Sequence, residues 1–179
     1  MSNPRFKHDT YKLADFWVVG ISIRTANANG QAHQDLGKLW QRFMAEQVSE
    51  AIPQKLDPRV YCLYTEYESD SNAPYTAVLG HRVESPTAIP EGMKAFKIAG
   101  GTIAKIETKG PLPESVVEAW QYIWSQPAGL ERAYRTDFEV HDLQQADRAN
   151  ILTEIHLSVK AWRSTQCVSS LQKGRLSMI

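Results

Sequence analysis

Two halves of this chain repeat each other at a constant offset of 80 positions, and that repeat limits the fold more than any other feature. Phe16 corresponds to Phe96, Val18 to Ile98, Gly20 to Gly100, Ile23 to Ile103, Trp40 to Trp120, Phe43 to Ile123 and Val60 to Val140. Tyr75, Ala77 and Leu79 fall on Ile155, Leu157 and Val159, so the apolar faces of the two closing strands coincide. Self-similarity at a fixed period marks a repeated supersecondary unit that needs its neighbour to bury its apolar face.

The unit itself is legible from periodicity. Residues 15–25 are rich in β-branched and aromatic side chains and read as a strand. A helix is expected over 33–48, where Leu36, Leu39, Trp40, Phe43, Met44 and Val48 share one face at the 3.6-residue period. Strands follow over 59–67 and 75–83, separated by the turn-forming Ser69-Asp70-Ser71-Asn72-Ala73-Pro74. The connector 85–92 carries two prolines and a glycine. In the second half, strand is expected over 93–99 and 101–108. A helix over 114–124 follows, with Pro113 suited to its first turn and Ser125-Gln126-Pro127-Ala128-Gly129 as its stop. Strands over 137–141 and 153–160 close the half.

Each half is therefore strand, helix, strand, strand. The expected fold class is α+β: two βαββ units, about 11–84 and 91–160, joined edge to edge into one antiparallel sheet with both helices on one face. One domain spans 1–160 and a tail spans 161–179. In the last strand Ile155, Leu157 and Val159 alternate with Glu154, His156 and Ser158. The face bearing Glu154 is the one left without helices, and at the junction of two pseudo-symmetric halves it is expected to form a ligand cleft.

Composition narrows the function classes. Lys+Arg and Asp+Glu both number 20, giving zero formal net charge, which argues against nucleic acid as a direct partner. Cys62 and Cys167 match no metal spacing, and the reading is a reducing, cytoplasmic compartment. No apolar run resembles a signal peptide or is long enough to span a bilayer. Phosphate-binding glycine loops, His-Glu-x-x-His pairs and nucleophile elbows are all missing, so no cofactor and no metal is expected. Among the five histidines, His141 and His156 meet only if their strands are neighbours, and a structural role is favoured over a metal.

Aromatic residues carry more information. Tyr61, Tyr64, Tyr67, Tyr75, Trp120, Trp124, Tyr134 and Phe138 lie on or beside elements that line the junction. Trp40 and Phe16 are read as ordinary core. A buried tyrosine hydroxyl needs a partner, so the tyrosines remain open to a role as pocket wall. Tyrosines and a tryptophan around one carboxylate suit a flat, hydrophobic cation, through ring area, cation–π attraction and counter-charge. A glutamate desolvated in such a pocket is expected to have a raised pKa.

The residues also resemble a known family. Trp17-Val18-Val19-Gly20-Ile21-Ser22-Ile23-Arg24-Thr25, Leu39-Trp40-Gln41-Arg42-Phe43, Tyr64-Thr65-Glu66-Tyr67-Glu68-Ser69-Asp70 and Tyr75-Thr76-Ala77-Val78-Leu79-Gly80 carry the likeness in the first half. Ile89-Pro90-Glu91-Gly92-Met93, Trp120-Gln121-Tyr122-Ile123-Trp124, Asp137-Phe138-Glu139-Val140-His141 and Thr153-Glu154-Ile155-His156-Leu157 continue it. Over about 11–160 the chain resembles stand-alone GyrI-like proteins, the effector-binding domain also fused to AraC- and MerR-type transcription regulators. The resemblance implies a duplicated βαββ fold and a central cleft for drug-like, often cationic, molecules. It implies a cleft glutamate in the last strand, here Glu154, and a second glutamate of the F-E-x-[YH] strand, here Glu139. Lys105, where relatives commonly carry an aromatic residue nearby, weakens cation preference if it points inward.

The favoured expectation is a small-molecule binding module for amphipathic cations, with Glu154 as counter-charge, Tyr64, Tyr75, Trp120 and Phe138 as walls, and Tyr61, Glu139 and His156 beside them. About fifteen residues precede the first expected strand, too few for a helix-turn-helix, so ligand binding without direct DNA reading is expected. A second reading is a hydrolase of electrophilic small molecules, with the cleft glutamate as general base and Tyr64 or Tyr75 aiding the leaving oxygen. A third is a protein-interaction module, a detached sensor or a gyrase-inhibitor-like protein.

Overall fold

A computed structural model describes residues 6–125 and 130–160. The tail at 161–179 and most of the expected helix stop, 126–129, lie outside the described residues. Eight strands form one sheet: β1 (His8–Leu13), β2 (Phe16–Thr25), β3 (Val60–Thr65), β4 (Tyr75–Val83), β5 (Lys94–Ile98), β6 (Gly101–Gly110), β7 (Thr136–His141) and β8 (Ile151–Ser158). Helix α1 (Gln31–Ala45) and the single turn α2 (Val48–Ala51) follow β2, and α3 (Glu114–Ser125) follows β6.

The sheet order is β1-β6-β8-β7-β3-β4-β2-β5, antiparallel throughout. Exchanging β1–β4 for β5–β8 leaves that order unchanged. The duplication thus appears as a pseudo-twofold about the central β3–β7 pair, and the first strand of each half pairs with the second strand of the other. The single offset of 80 does not survive everywhere. Val60 packs under the helices whereas Val140 packs on the opposite face. A strand has period two, so an odd change in register between the halves reverses every side chain.

β1 was not expected. Its sequence, His-Asp-Thr-Tyr-Lys-Leu, is mostly polar and mostly exposed, as suits an edge strand. Helix α1 ends three residues earlier than its apolar pattern suggests, because Gln47 adopts a left-handed backbone (φ 50) and breaks the hydrogen-bond ladder. Met44, expected on the core face, is 62% exposed.

The two sheet faces carry separate cores. On one, Leu39 and Phe43 of α1 and Val116, Ala119, Trp120 and Ile123 of α3 pack with Cys62, Tyr64, Ala77, Leu79, Ile155 and Leu157. Both helices therefore cover the same face, as expected. On the other, Phe16, Val18, Tyr61, Leu63, Val78, Ile98, Phe138 and Val140 pack together, with Leu13 against them.

This second core corrects the expectation of an open, helix-free face. β1 and β2 stand six strand spacings apart, about 29 Å in a flat sheet, yet only Ala14 and Asp15 connect them. Two linking residues reach roughly 11 Å. The sheet must therefore curl until its edges meet, which Gly100 N–H donating to Asp15 Oδ1 at 2.7 Å records directly. A Cβ on Gly100 would lie 2.3 Å from the Leu13 carbonyl oxygen, so the crossing requires glycine there. The helix-free face is the filled concave interior of a nearly closed barrel.

Candidate functional site

Alternation along β7 puts Asp137, Glu139 and His141 under the helices and Phe138 and Val140 inside the curl. Glu139 sits at the centre of the helix-covered face, opposite Cys62 of β3. It is 3% exposed. The Tyr64 hydroxyl donates to Oε1 at 2.7 Å and the Trp120 indole N–H donates to the same oxygen at 2.6 Å. His141 Nε2 lies 2.7 Å from Oε2. Burial opposes ionisation here, but the hydrogen bond and Coulomb attraction of His141, with the bonds from Tyr64 and Trp120, outweigh it and hold the carboxyl below its ordinary pKa. The expected rise is thus reversed: hydrogen bonds to the charged form and the attraction of His141 together exceed desolvation.

Aromatic rings wall this carboxylate. Tyr64 meets Trp120 edge-on at 5.3 Å and Tyr75 at 5.9 Å between centroids. Burial drives the Tyr64 hydroxyl well above its ordinary pKa and raises Tyr75 as well, so both act as neutral donors. Tyr75 donates to Asn27 Oδ1 at 2.9 Å. Beyond Trp120 lies a second buried acid, Asp137, which accepts from the Tyr67 hydroxyl at 2.8 Å and the Ser158 N–H at 2.8 Å and pairs with Arg132. The Arg132 guanidinium stacks over Tyr134 at 4.7 Å and Trp120 at 5.8 Å. Tyr134 itself holds a positive φ of 50, a strained backbone state for an aromatic residue.

A cleft of about 630 Å³ opens at this end of the helix layer. Asn27, Ser71 and Asn72 line one side, and Ile123, Trp124, Arg132 and Tyr134 the other. Arg132 and Trp120 connect it to Glu139: the guanidinium lies over the indole, and the indole N–H is on the carboxylate.

Glu154 belongs to a different place. It faces the concave side, where Lys105 (3.5 Å), Arg59 (3.8 Å) and His156 (3.3 Å) surround it. The His156 hydrogen bond, set against partial burial and supported by the Lys105 and Arg59 charges, lowers its pKa to about 2. His156 stacks on Phe138 at 4.5 Å, and its Nδ1 lies 2.9 Å from the Tyr11 hydroxyl. Tyr61 stacks on the other side of Phe138, with its hydroxyl on Asp57. A groove of about 310 Å³ runs beside Arg59 and Glu154.

The eight expected site residues thus divide evenly. Tyr64, Tyr75, Trp120 and Glu139 converge under the helices, whereas Glu154, His156, Phe138 and Tyr61 lie on the opposite face. No single pocket unites Glu154 with the Tyr64, Tyr75 and Trp120 walls, because the sheet stands between them. Phe138 is separated from its neighbour Glu139 by the same alternation. His141 and His156 sit on adjacent strands but opposite faces, and do not meet. Lys105 points to the Glu154 side, bonded to Glu107 at 2.7 Å, and so leaves the helix-side cleft unaffected. Sequence reasoning missed Arg132, Asp137 and the pairing of His141 with Glu139. The alternation Asp137-Phe138-Glu139-Val140-His141 held the signal for the acid–histidine row; nothing local marked Arg132.

Comparison with known proteins agrees with this architecture. An integron cassette protein of Vibrio cholerae has a solved structure that aligns with a TM-score of 0.67 at 27% identity, covering 87% of this chain and 99% of that one. The structure of SAV2435 bound to tetraphenylphosphonium aligns with a TM-score of 0.71, covering 87% and 94%; at 19% identity that likeness speaks to the fold alone. YobU of Bacillus subtilis is 26% identical over 144 residues, 79% of this chain and 90% of YobU. A family model described as integron-associated effector binding protein matches residues 11–159. The chain therefore belongs to the Cass2 family of integron-associated effector-binding proteins.

Proposed function

We propose that the protein binds amphipathic, aromatic cations in the helix-side cleft, with Glu139 rather than Glu154 as the counter-charge. One observation carries this reading: Glu139 is a buried carboxylate whose hydrogen-bond partners, Tyr64, Trp120 and His141, are ring-bearing side chains and include no lysine or arginine. A buried negative charge in an aromatic cage supplies both the Coulomb attraction and the π-faces that a flat cation needs. A ligand reaches it by rotation of Trp120, which exchanges its bond to Glu139 for a stacking face. SAV2435, of the same fold, is described with tetraphenylphosphonium bound, a lipophilic cation of this class.

Each glutamate has a histidine beside it, but Glu154 fits the counter-charge role less well, since Lys105 and Arg59 flank it as well. The hydrolase reading is also less well supported. A carboxylate with a lowered pKa is a weak base, and both glutamates are lowered.

Calorimetric titration with tetraphenylphosphonium tests the assignment. Glu139→Gln is expected to weaken binding by at least about tenfold, the loss of one close charge partner, while Glu154→Gln changes it by less than about twofold. The reverse pattern would return the site to the concave face.

A further inference from the structure

The cleft holds a recognition element that a simple lipophilic cation does not use. Arg132 lines it, and its side chain is only 9% exposed. The guanidinium is fixed between two aromatic rings and paired with Asp137, and the backbone on both sides is pinned to β8 and its continuation: Ala133 N–H donates to the Ser158 carbonyl at 2.7 Å and Lys160 N–H to the Glu131 carbonyl at 2.8 Å. Yet among the described residues Arg132 Nε–H is buried with no acceptor. An unmet buried donor of a charged group is expensive, about 1–3 kcal/mol or more, and such orphans in native proteins call for an explanation.

Asp137 does not supply that acceptor, because its oxygens are already engaged. Oδ1 takes the Ser158 N–H and hydroxyl, and Oδ2 takes the Tyr67 hydroxyl and the other arm of Arg132. Lys160 and Glu131 also line the cleft, one of each charge, so the guanidinium edge is its distinguishing polar feature. Arg132 thus stands on the cleft lining with an unsatisfied donor, and Glu139 lies behind it, beyond the Trp120 ring.

We infer that the natural ligand is amphoteric: a flat cationic ring system bearing a carboxylate or comparable anionic oxygen, which accepts from Arg132 Nε once the rotation of Trp120 uncovers the guanidinium, while the cationic part lies toward Glu139. This rests on the helix-side cleft being the binding site. The guanidinium, pre-organised by its rings and by Asp137, is positioned as a planar fork suited to carboxylate recognition.

A matched pair of dyes tests the inference. Rhodamine B carries a free carboxylate beside its cationic xanthylium and is a zwitterion at pH 7.5; its ethyl ester is a cation of nearly the same shape. Binding is followed by fluorescence anisotropy on the full chain. The wild type is expected to bind the zwitterion about tenfold more tightly than the ester, the value of one charge-assisted hydrogen bond. That ratio should fall to near one in Arg132→Met and be reduced in Arg132→Lys, which keeps the charge but not the fork. The Lys variant and the wild-type ratio itself remain informative if Arg132→Met fails to fold. A wild-type ratio of one or below overturns the inference, as does a ratio unchanged by both substitutions. Tighter binding of the ester to Arg132→Met, with no change for the zwitterion, makes Arg132 a competitor for the cleft and also overturns it. If the ester binds and Glu139→Gln weakens it while the ratio ignores Arg132, the cleft reading stands and only the amphoteric ligand fails. If neither dye binds the wild type, or Glu139→Gln leaves the ester affinity unchanged, both readings fail together.

Discussion

Glu139→Gln should destabilise the protein, although it removes a charge from the interior. The amide oxygen can retain both Tyr64 and Trp120, which sit 2.7 and 2.6 Å from Oε1. Reversing the amide is worse, because an indole N–H can only donate. The new NH2 then faces His141 Nε2, 2.7 Å away from the oxygen it replaces. Either two donors oppose each other, or the imidazole moves its proton to Nδ1, which is buried and has no acceptor among the described residues. Leaving that donor unmet costs about 1–3 kcal/mol. The two surviving bonds change from charge-assisted to neutral, each weaker by about 1 kcal/mol. Relief of carboxylate desolvation acts the other way, but the lowered pKa of Glu139 places that effect below the hydrogen bonds. The net expectation is a loss of about 2–4 kcal/mol, or roughly 4–16 °C in Tm for a chain of this length. Urea denaturation at pH 7.5, followed by both circular dichroism and tryptophan fluorescence, measures it. A Glu139→Gln variant as stable as the wild type or more so would refute the claim that the cage satisfies its carboxylate. It would identify Glu139 as a charge held at the expense of stability.

Other expectations follow from the same geometry. His81 is fully buried, with Nε2 2.7 Å from Ser49 Oγ, and burial lowers its pKa from 6.5 to about 4. The unfolded chain therefore takes up a proton that the folded one excludes, so stability is intact above pH 6.5 and falls as the pH drops toward 4, by up to roughly 3 kcal/mol; urea midpoints across that range should show the fall and His81→Asn should flatten it. Gly100→Val forces a Cβ to 2.3 Å from the Leu13 carbonyl oxygen, and thermal melts should show a loss of at least about 1–3 kcal/mol; an unchanged melt would mean that the strand crossing is looser than described. The Glu154 carboxyl, followed by NMR on acid titration, should ionise with a midpoint of about 2, and its contribution to stability, present above pH 4.5, should be lost as the pH falls to that value; a midpoint near 4.5 would remove the Lys105–Arg59–His156 network from the account.

Periodicity and repetition alone determined much of this protein. The apolar positions of β2, β4 and β8 and of both long helices were readable because a buried face must recur every two or every 3.6 residues. The pseudo-twofold followed from the repeat, and the family followed from the order of the motifs. The concentration of tyrosine and tryptophan near one acid was also visible, including Tyr64, Tyr75, Trp120 and Glu139. The sequence could not say which acid those rings surround. Glu139 and Glu154 are both strand carboxylates with an alternating neighbour histidine, at 141 and 156. Only the register of β7 against β3 and β8 decides that one lies under the helices and the other inside the curl. Closure of the sheet is equally non-local. It depends on two-residue links that join each edge strand to the strand next to the opposite edge, so the helix-free face fills with Phe16, Leu63 and Phe138. Arg132 and Asp137 meet through the side-chain geometry of a loop against β7, and the alternation rule has no way to count such a contact. Tertiary structure put Glu139 and Glu154 on opposite faces of the sheet because the sign of a strand's face is set by pairing, and pairing partners lie far apart in the chain.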